Sequence, residues 1–307
     1  MSRWLLVHLL GDIMSTLQKW SLTFIAMCAF AGNSVLCRWA LADTQIDPAS
    51  FTTIRLVSGA MFLGVLTLML KPNFIQVSDA APALSKRSLT LSGSWLGALA
   101  LFMYAACFSF AYISLSAATG ALILFGSVQF TMIIYSVLNG QRLTAWQMLG
   151  FVMALVGLGI LFLPSATTPD ILGGLLMMGA GIAWGAYSIM GKTAGDPTLV
   201  TSGNFIRAGL MSALLLLLSV SSLVWDLTGV VLAIVSGVIA SGVGYAIWYA
   251  VLPHHATTTS ASVQLSVPVI TTVLGVSVLG EELSIPMVIA SGAILGGIYL
   301  VINRIPR

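Results

Sequence analysis

The chain has 307 residues, of which 58% are apolar and 7% charged, with a formal net charge of +3 and a mean hydropathy of +1.04. An average soluble domain carries roughly 25% charged residues, so a water-soluble globular protein is excluded, and charge this sparse and scattered excludes a nucleic-acid surface. The lipid bilayer is the solvent in which the sequence has to be read.

Apolar stretches of about 20 residues, enough to cross roughly 30 Å of hydrocarbon, recur along the chain, bounded by charges, Pro or polar clusters. They predict an all-α polytopic membrane protein with spans near 20–41, 51–70, 93–113, 117–138, 145–164, 171–191, 200–222, 229–252, 256–279 and 284–302. Residues 1–19 read as an interfacial, cytoplasmic N-terminal segment, because Trp4 to Leu10 is too short to cross; Met14 is an alternative start. Connections such as Ser114 to Ser116 and Pro253 to His255 are so short that successive helices must be antiparallel neighbours. Only Lys71 to Ser92 makes a longer loop. The chain divides into a first five-helix unit at 20–164, a second at 165–303 and a cytoplasmic tail at 304–307.

Loop charges set the orientation. With the N-terminus inside, Arg3, Lys19, Lys71, Lys86, Arg87, Arg142, Lys192, Arg304 and Arg307 fall on one side and no basic residue falls in the opposite loops. This bias places both termini in the cytoplasm, in a bacterial inner membrane. Cys28, Cys37 and Cys107 lie within spans and, being odd in number, give no disulfide framework.

The two halves repeat one another. Phe30, Ser34, Arg38 and Ala40 match Trp184, Ser188, Lys192 and Ala194 at a constant offset; Asp47, Pro48 and Arg55 find counterparts in Asp196, Pro197 and Arg207; Gly140, Leu143, Thr144 and Gly157 match Gly280, Leu283, Ser284 and Gly297. An odd number of helices per half makes the second half enter the membrane from the opposite side. Inverted repeats are the usual basis of alternating access, although duplication can also simply build a stable bundle.

Val263-Gln264-Leu265-Ser266-Val267-Pro268, then Leu279-Gly280-Glu281-Glu282-Leu283, then Ser291-Gly292-Ala293-Ile294-Leu295-Gly296-Gly297-Ile298-Tyr299-Leu300 resembles the end of an EamA-type repeat of the drug/metabolite transporter superfamily. The first half carries a looser version in Gly140-Gln141-Arg142-Leu143, Trp146-Gln147-Met148-Leu149-Gly150 and Gly157, with Gln141 where the family usually has glutamate and Val128 where Pro268 aligns. The resemblance implies ten transmembrane helices in two inverted five-helix repeats, a substrate cavity between the halves, and export of amino acids or other small metabolites.

Polar and aromatic side chains that share a helical face are the candidate cavity lining. Tyr104, Phe108 and Tyr112 form one stripe, Tyr245, Trp248 and Tyr249 a second, and Trp184, Tyr187 and Ser188 a third. Such rings suit a cavity that holds water and organic solute in turn, and equally suit interfacial belts. Buried amides sharpen the selection: Asn33 with Ser34, Gln129 with Ser127, and Gln264 with Ser266 are candidate substrate contacts or interhelical bonds. Arg207, about two turns inside its span, is a candidate for facing the cavity or pairing with a carboxylate. Arg55 lies nearer an end, where its side chain is expected to snorkel to the headgroups. Arg38 and Lys192 read as interfacial anchors. Pro268 is a candidate hinge, and the Gly181/Gly185 and Gly292/Gly296 pairs are candidates for close helix packing.

No constellation for catalysis is present. His8, His254 and His255 lie at interfaces or in loops, no acidic cluster could hold Mg²⁺, and no metal or other cofactor is implied. All nine Asp and Glu residues fall at span ends or in loops, so no mid-membrane proton relay is visible. The expected partners are the lipid bilayer and a small-molecule substrate, and the expected function is a carrier of small organic metabolites, most simply an exporter. A non-transporting sensor or complex subunit, a drug exporter and an uptake carrier are the alternatives.

Overall fold

The computed structural model describes residues 15–70, 92–140, 144–161, 170–191, 196–255 and 263–303. The segment 1–14, Gln141 and the basic residues Lys71, Lys86, Arg87, Arg142, Lys192, Arg304 and Arg307 lie outside the described residues. The described chain is helical throughout: α1 Thr16–Asp43, α2 Pro48–Leu70, α3 Trp95–Ala111, α4 Ala117–Leu138, α5 Ala145–Leu161, α6 Ile171–Gly191, α7 Pro197–Leu218, α8 Leu227–Val251, α9 Ser266–Leu279 and α10 Ile285–Asn303. Six of them (α1, α2, α4, α6, α7 and α8) are long and apolar enough to cross a membrane, and the other four are shorter apolar helices.

Local chemistry sets where these helices start. Ser15 and Gln18 form a reciprocal capping box that begins α1 before the expected position 20. Thr144 and Gln147 exchange the same pair of bonds at α5. Ser94 and Ser116 cap α3 and α4. Asp47, Asp170, Asp196 and Asp226 accept from the first free N–H groups of α2, α6, α7 and α8. These four acids at span ends are therefore helix caps, which satisfy backbone donors that nothing in an apolar medium would satisfy. Gly140 and Gly280, matched by the repeat, both adopt positive φ, at 89° and 66°. Gly280 closes α9 in the left-handed conformation that an L side chain resists.

Packing follows the duplication. α3 packs on α6 as α1 packs on α8, α4 on α6 as α1 on α9, and α3 on α7 as α2 on α8; the α2–α7, α4–α9 and α5–α10 pairs map onto themselves. Exchanging each helix for the one five places later thus reproduces the principal contacts. α1, α3, α6 and α8 surround the centre, where the repeat-matched Phe30 and Trp184 meet edge to face with ring centroids 6.3 Å apart. At the periphery Gly150 and Gly297 bring α5 and α10 so close that a Cβ on either would strike the other's carbonyl oxygen. Gly181 and Gly185 press α6 onto Leu124, Ser127 and Thr131 of α4, the close approach expected of them, whereas a Cβ at Gly292 or Gly296 would meet nothing within 4 Å. Large apolar side chains such as Met61, Leu138 and Leu217 cover the outer surface.

Candidate functional site

Two cavities lie within the described bundle. The larger, about 360 Å³, sits at the end where α3 and α7 begin and α6 and α8 finish, with Ser94, Tyr187, Asp196, Thr201, Asn204 and Tyr249 in its wall. Asn204 fixes that wall by accepting from the Ser94 N–H at 2.9 Å. The smaller, about 20 Å³, occupies the centre and is lined by Asn33, Ser34, Tyr104, Trp184, Ser241 and Tyr245, among others; this is room for about one water.

A column of rings joins the two. Tyr187 lies 5.6 Å from Trp184, Trp184 stacks on Tyr245 at 5.1 Å, and Tyr245 lies 6.5 Å from Tyr249. Trp184 is the hub, because it also touches Tyr104 at 5.0 Å and Phe30 at 6.3 Å.

The polar groups of the central chamber form one network. Asn33 Nδ2 donates to Tyr104 Oη at 3.1 Å, and Ser236 Oγ donates to Asn33 Oδ1 at 2.6 Å. Arg55 Nη2 donates to the same Tyr104 oxygen at 3.1 Å, and its Nε donates to Ser241 Oγ at 3.4 Å. Ser236 and Ser241 come from a π-helical stretch of α8, Ser236–Val243, in which i→i+5 bonding widens the turn and re-aims both hydroxyls. Arg55 does not snorkel. It is 2% exposed, with its guanidinium over the rings of Phe108 and Tyr104 at 5.0 and 5.2 Å. The expectation failed because sequence shows only depth along α2, whereas the face of α2 that carries Arg55 turns toward α3 and α8.

The far end of the bundle is laced shut. Glu281 accepts from the backbone N–H of Ala117 at 2.6 Å and of Ala118 at 3.4 Å, which ties the α9–α10 connection to the start of α4. Arg38 Nε lies 4.0 Å from Glu281, while Arg38 Nη1 donates to the carbonyls of Tyr112 and Ile113, each at 3.0 Å. Arg38 is thus a cross-tie between helices, more than an interfacial anchor. Nearby, Asp47 accepts from the Val224 N–H at 3.0 Å and joins the α1–α2 and α7–α8 connections.

Of the residues singled out from sequence, Asn33, Ser34, Tyr104, Phe108, Trp184 and Tyr245 line the central chamber, and Tyr187 and Tyr249 line the larger cavity. The others line neither. Ser188 bonds back to the Trp184 carbonyl at 2.8 Å. Trp248 packs on Phe30 at 6.1 Å. Gln129 is buried in α4 with an unpartnered Nε2. Gln264 is half-buried just before α9. Arg207 is half-buried, donates to the Ser92 and Gly203 carbonyls at 2.8 and 3.1 Å, and lies 5.6 Å from the Trp95 ring. Pro268 falls in the first turn of α9, one turn after helical Gln264, and the helical structure is interrupted between them at Leu265. Sequence reasoning misplaced Arg55 at the headgroups and missed Ser241, Ser236 and Asn204, since isolated small polar residues carry no periodic signal.

At the larger cavity's end of the bundle, His255 ties the end of α8 to α1. Its Nε2 lies 2.8 Å from Thr23 Oγ1, and its ring meets Trp20 at 5.1 Å. Thr23 spends its one hydrogen on the Lys19 carbonyl at 2.7 Å, so it accepts from His255, which holds the proton on Nε2. Burial first, and then Lys19 and His254, push the imidazole below its ordinary value of 6.5. A depressed histidine binds fewer protons folded than unfolded, so this contact contributes stability above about pH 6.5 that is lost as pH falls below it. Thermal unfolding in detergent is therefore expected to occur at lower temperature at pH 5.5 than at pH 7.5, with the difference reduced in His255→Asn.

With this geometry in view, comparison with known proteins is informative. The model of the EamA-like transporter family matches residues 19–163 and again 171–303. An uncharacterized Pseudomonas aeruginosa protein is 48% identical over 281 residues, covering 92% of this chain and 93% of that one. Two proteins named as uncharacterized transporters are also similar: one from Bacillus subtilis, YwfM, is 26% identical over 92% of this chain and 94% of its own; one from Archaeoglobus fulgidus is 24% identical over 68% and 76%. A solved crystal structure shares the fold with a TM-score of 0.61 at 20% identity, covering 92% of this chain and 97% of that one.

Proposed function

This chain belongs to the EamA-like transporter family, and from that premise we propose that it is a carrier of small organic metabolites, amino acids or close relatives, exporting them by alternating access. The family match makes it a multi-pass membrane transporter. The observation that carries the finer reading is the polarity of the bundle: among the described residues the cavity of about 360 Å³ lies at one end, while Glu281 and Arg38 tie α1, α4 and the α9–α10 connection together at the other. A carrier caught facing one side has this form.

In this reading all ten helices cross the bilayer, α6 to α10 inverted relative to α1 to α5. The pairwise exchange symmetry of the packing supports it. The one-sided distribution of basic residues supports a cytoplasmic N- and C-terminus in a bacterial inner membrane, and with them a cytoplasmic position for the larger cavity. The aromatic column supports an organic solute over a bare ion, because ring faces complement apolar bodies and hydroxyl tips orient polar ones. A sensor or subunit reading lacks a comparable observation, since it requires no cavity at the end opposite the Glu281 closure.

No described acid sits in mid-helix, and the Asp and Glu residues discussed above serve as caps or in the closure. Flux is accordingly driven by the solute's own gradient. Counterflow in proteoliposomes loaded with neutral amino acids is expected to accumulate labelled solute transiently, at a rate unaffected by an imposed pH gradient. Acceleration by the pH gradient of a solute that carries no proton itself would contradict gradient-driven exchange; failure of any loaded solute to exchange would contradict the carrier.

A further inference from the structure

We infer that the central chamber is a receptor for an anionic head group, and that the transported molecule is a small carboxylate whose organic body packs on the surrounding rings. This rests on the carrier reading and names the chemistry of the same site.

The basis is an excess of buried donors. Arg55 is 2% exposed, yet its Nη1 has no hydrogen-bond partner. No carboxylate faces it: the ion pair found among the described residues is Arg38 with Glu281, at the closed end. The groups that do touch Arg55 are neutral, namely the Tyr104 and Ser241 hydroxyls and the rings of Tyr104 and Phe108.

Tyr104 extends the excess. Its oxygen already accepts from Asn33 Nδ2 and from Arg55 Nη2, which occupies both lone pairs, so its own hydrogen remains to be donated. None of the described residues accepts it. A guanidinium N–H and a phenol O–H without acceptors therefore lie together beside a chamber that Tyr104 and Ser241 line.

A buried cation is ordinarily paired, because leaving it unpaired in a low-dielectric interior is costly. Here the described residues supply the donors and no counter-charge. The chamber now has room for about one water, so a carboxylate enters only as the flanking rings part, and it would then complete the set: the planar fork of Arg55, behind the wall, and the Tyr104 hydroxyl match two acceptor oxygens. Phe30, Trp184 and Tyr245 then flank the organic portion. The same positive charge repels cationic solutes, so organic ammonium compounds without a carboxylate are excluded.

The test compares matched acids and amides on the purified full-length protein: benzoate with benzamide, 4-methylpentanoate with 4-methylpentanamide, and phenylalanine as a zwitterionic acid. Ligand-induced thermal stabilisation gives the half-saturation of each. Acids are expected to bind roughly tenfold to hundredfold more tightly than their amides, the range of a charge-assisted bond. Arg55→Gln removes that preference while leaving the ligand-free unfolding temperature unchanged or higher, because an unpaired buried charge has been neutralised. Arg55→Lys keeps the preference with weaker binding. Equal binding of acids and amides, no saturation by any acid, or a preference that survives Arg55→Gln would overturn the assignment. Counterflow judges the carrier separately: exchange of neutral amides with no acid preference refutes the anion receptor and leaves the carrier standing.

Discussion

Glu281→Gln is expected to release the closed end of the bundle and shift the conformational equilibrium about 5-fold to 150-fold toward the state open on that side. Glu281 joins three things that belong to different parts of the chain: the first N–H groups of α4, Arg38 of α1, and its own connection after α9. A carboxylate at a helix N-terminus gains from both the direct bonds and the aligned peptide dipoles. An amide keeps one acceptor but loses the charge, at a cost of about 1–3 kcal/mol, which is the quoted range of populations. The measurement is the rate at which a membrane-impermeant thiol reagent, applied from the closed side, modifies a cysteine placed at Leu115, which is 1% exposed. The native Cys28, Cys37 and Cys107 are replaced beforehand. Arg38→Gln is expected to act in the same direction, and the double variant to fall short of the sum, because the two side chains share one closure.

Trp184→Ala is expected to abolish transport, lowering exchange at least 100-fold, and to destabilise the protein by about 3–5 kcal/mol. Trp184 is 7% exposed and contacts Phe30, Tyr104, Tyr187 and Tyr245 at once. Removing it merges the central chamber with the space above and leaves four rings without their common neighbour. Trp184→Phe separates the two effects. It retains most of the packing, so stability should fall by no more than about 1.5 kcal/mol, while exchange still falls because the ring no longer spans from Tyr104 to Tyr187. If Trp184→Phe exchanges normally, the column is packing and not a pathway.

The helices themselves were legible in the sequence because a hydrocarbon solvent imposes a length and forbids unsatisfied backbone. The ends of α4 and α6 fall at the expected residues, and α1 starts early only because the Ser15–Gln18 capping box was passed over. The stripe Tyr104, Phe108 and the rings Trp184 and Tyr245 were also legible, since helical spacing puts them on common faces. Arg55 was not. It and Arg207 look alike in sequence, each a lone arginine near the start of a span, yet one is buried against Tyr104 and Ser241 of the central chamber and the other bonds to the Ser92 carbonyl in the wall of the larger cavity. What separates them is the rotation of each helix against its neighbours, which depends on contacts 49 to 186 residues away. The π-helical turn that brings Ser236 and Ser241 to Asn33 and Arg55 was equally hidden, because no local composition distinguishes it from an α-helical turn rich in glycine. The same holds for Gly292 and Gly296, whose spacing suggested a packing face while Gly297 makes the contact.

The central claim is a water-accessible path that reaches the middle of the bundle from the larger cavity and stops at the Glu281 closure. Its most direct test places a single cysteine at Ser34, in the central chamber and 1% exposed, and applies a small impermeant thiol reagent to either face of oriented membrane vesicles. The account predicts modification from the face that carries the larger cavity, protection from the opposite face, and loss of that protection when Glu281→Gln is added. A cysteine that stays unmodified from both faces in both backgrounds, while one at Thr201 in the larger cavity reacts, would contradict it.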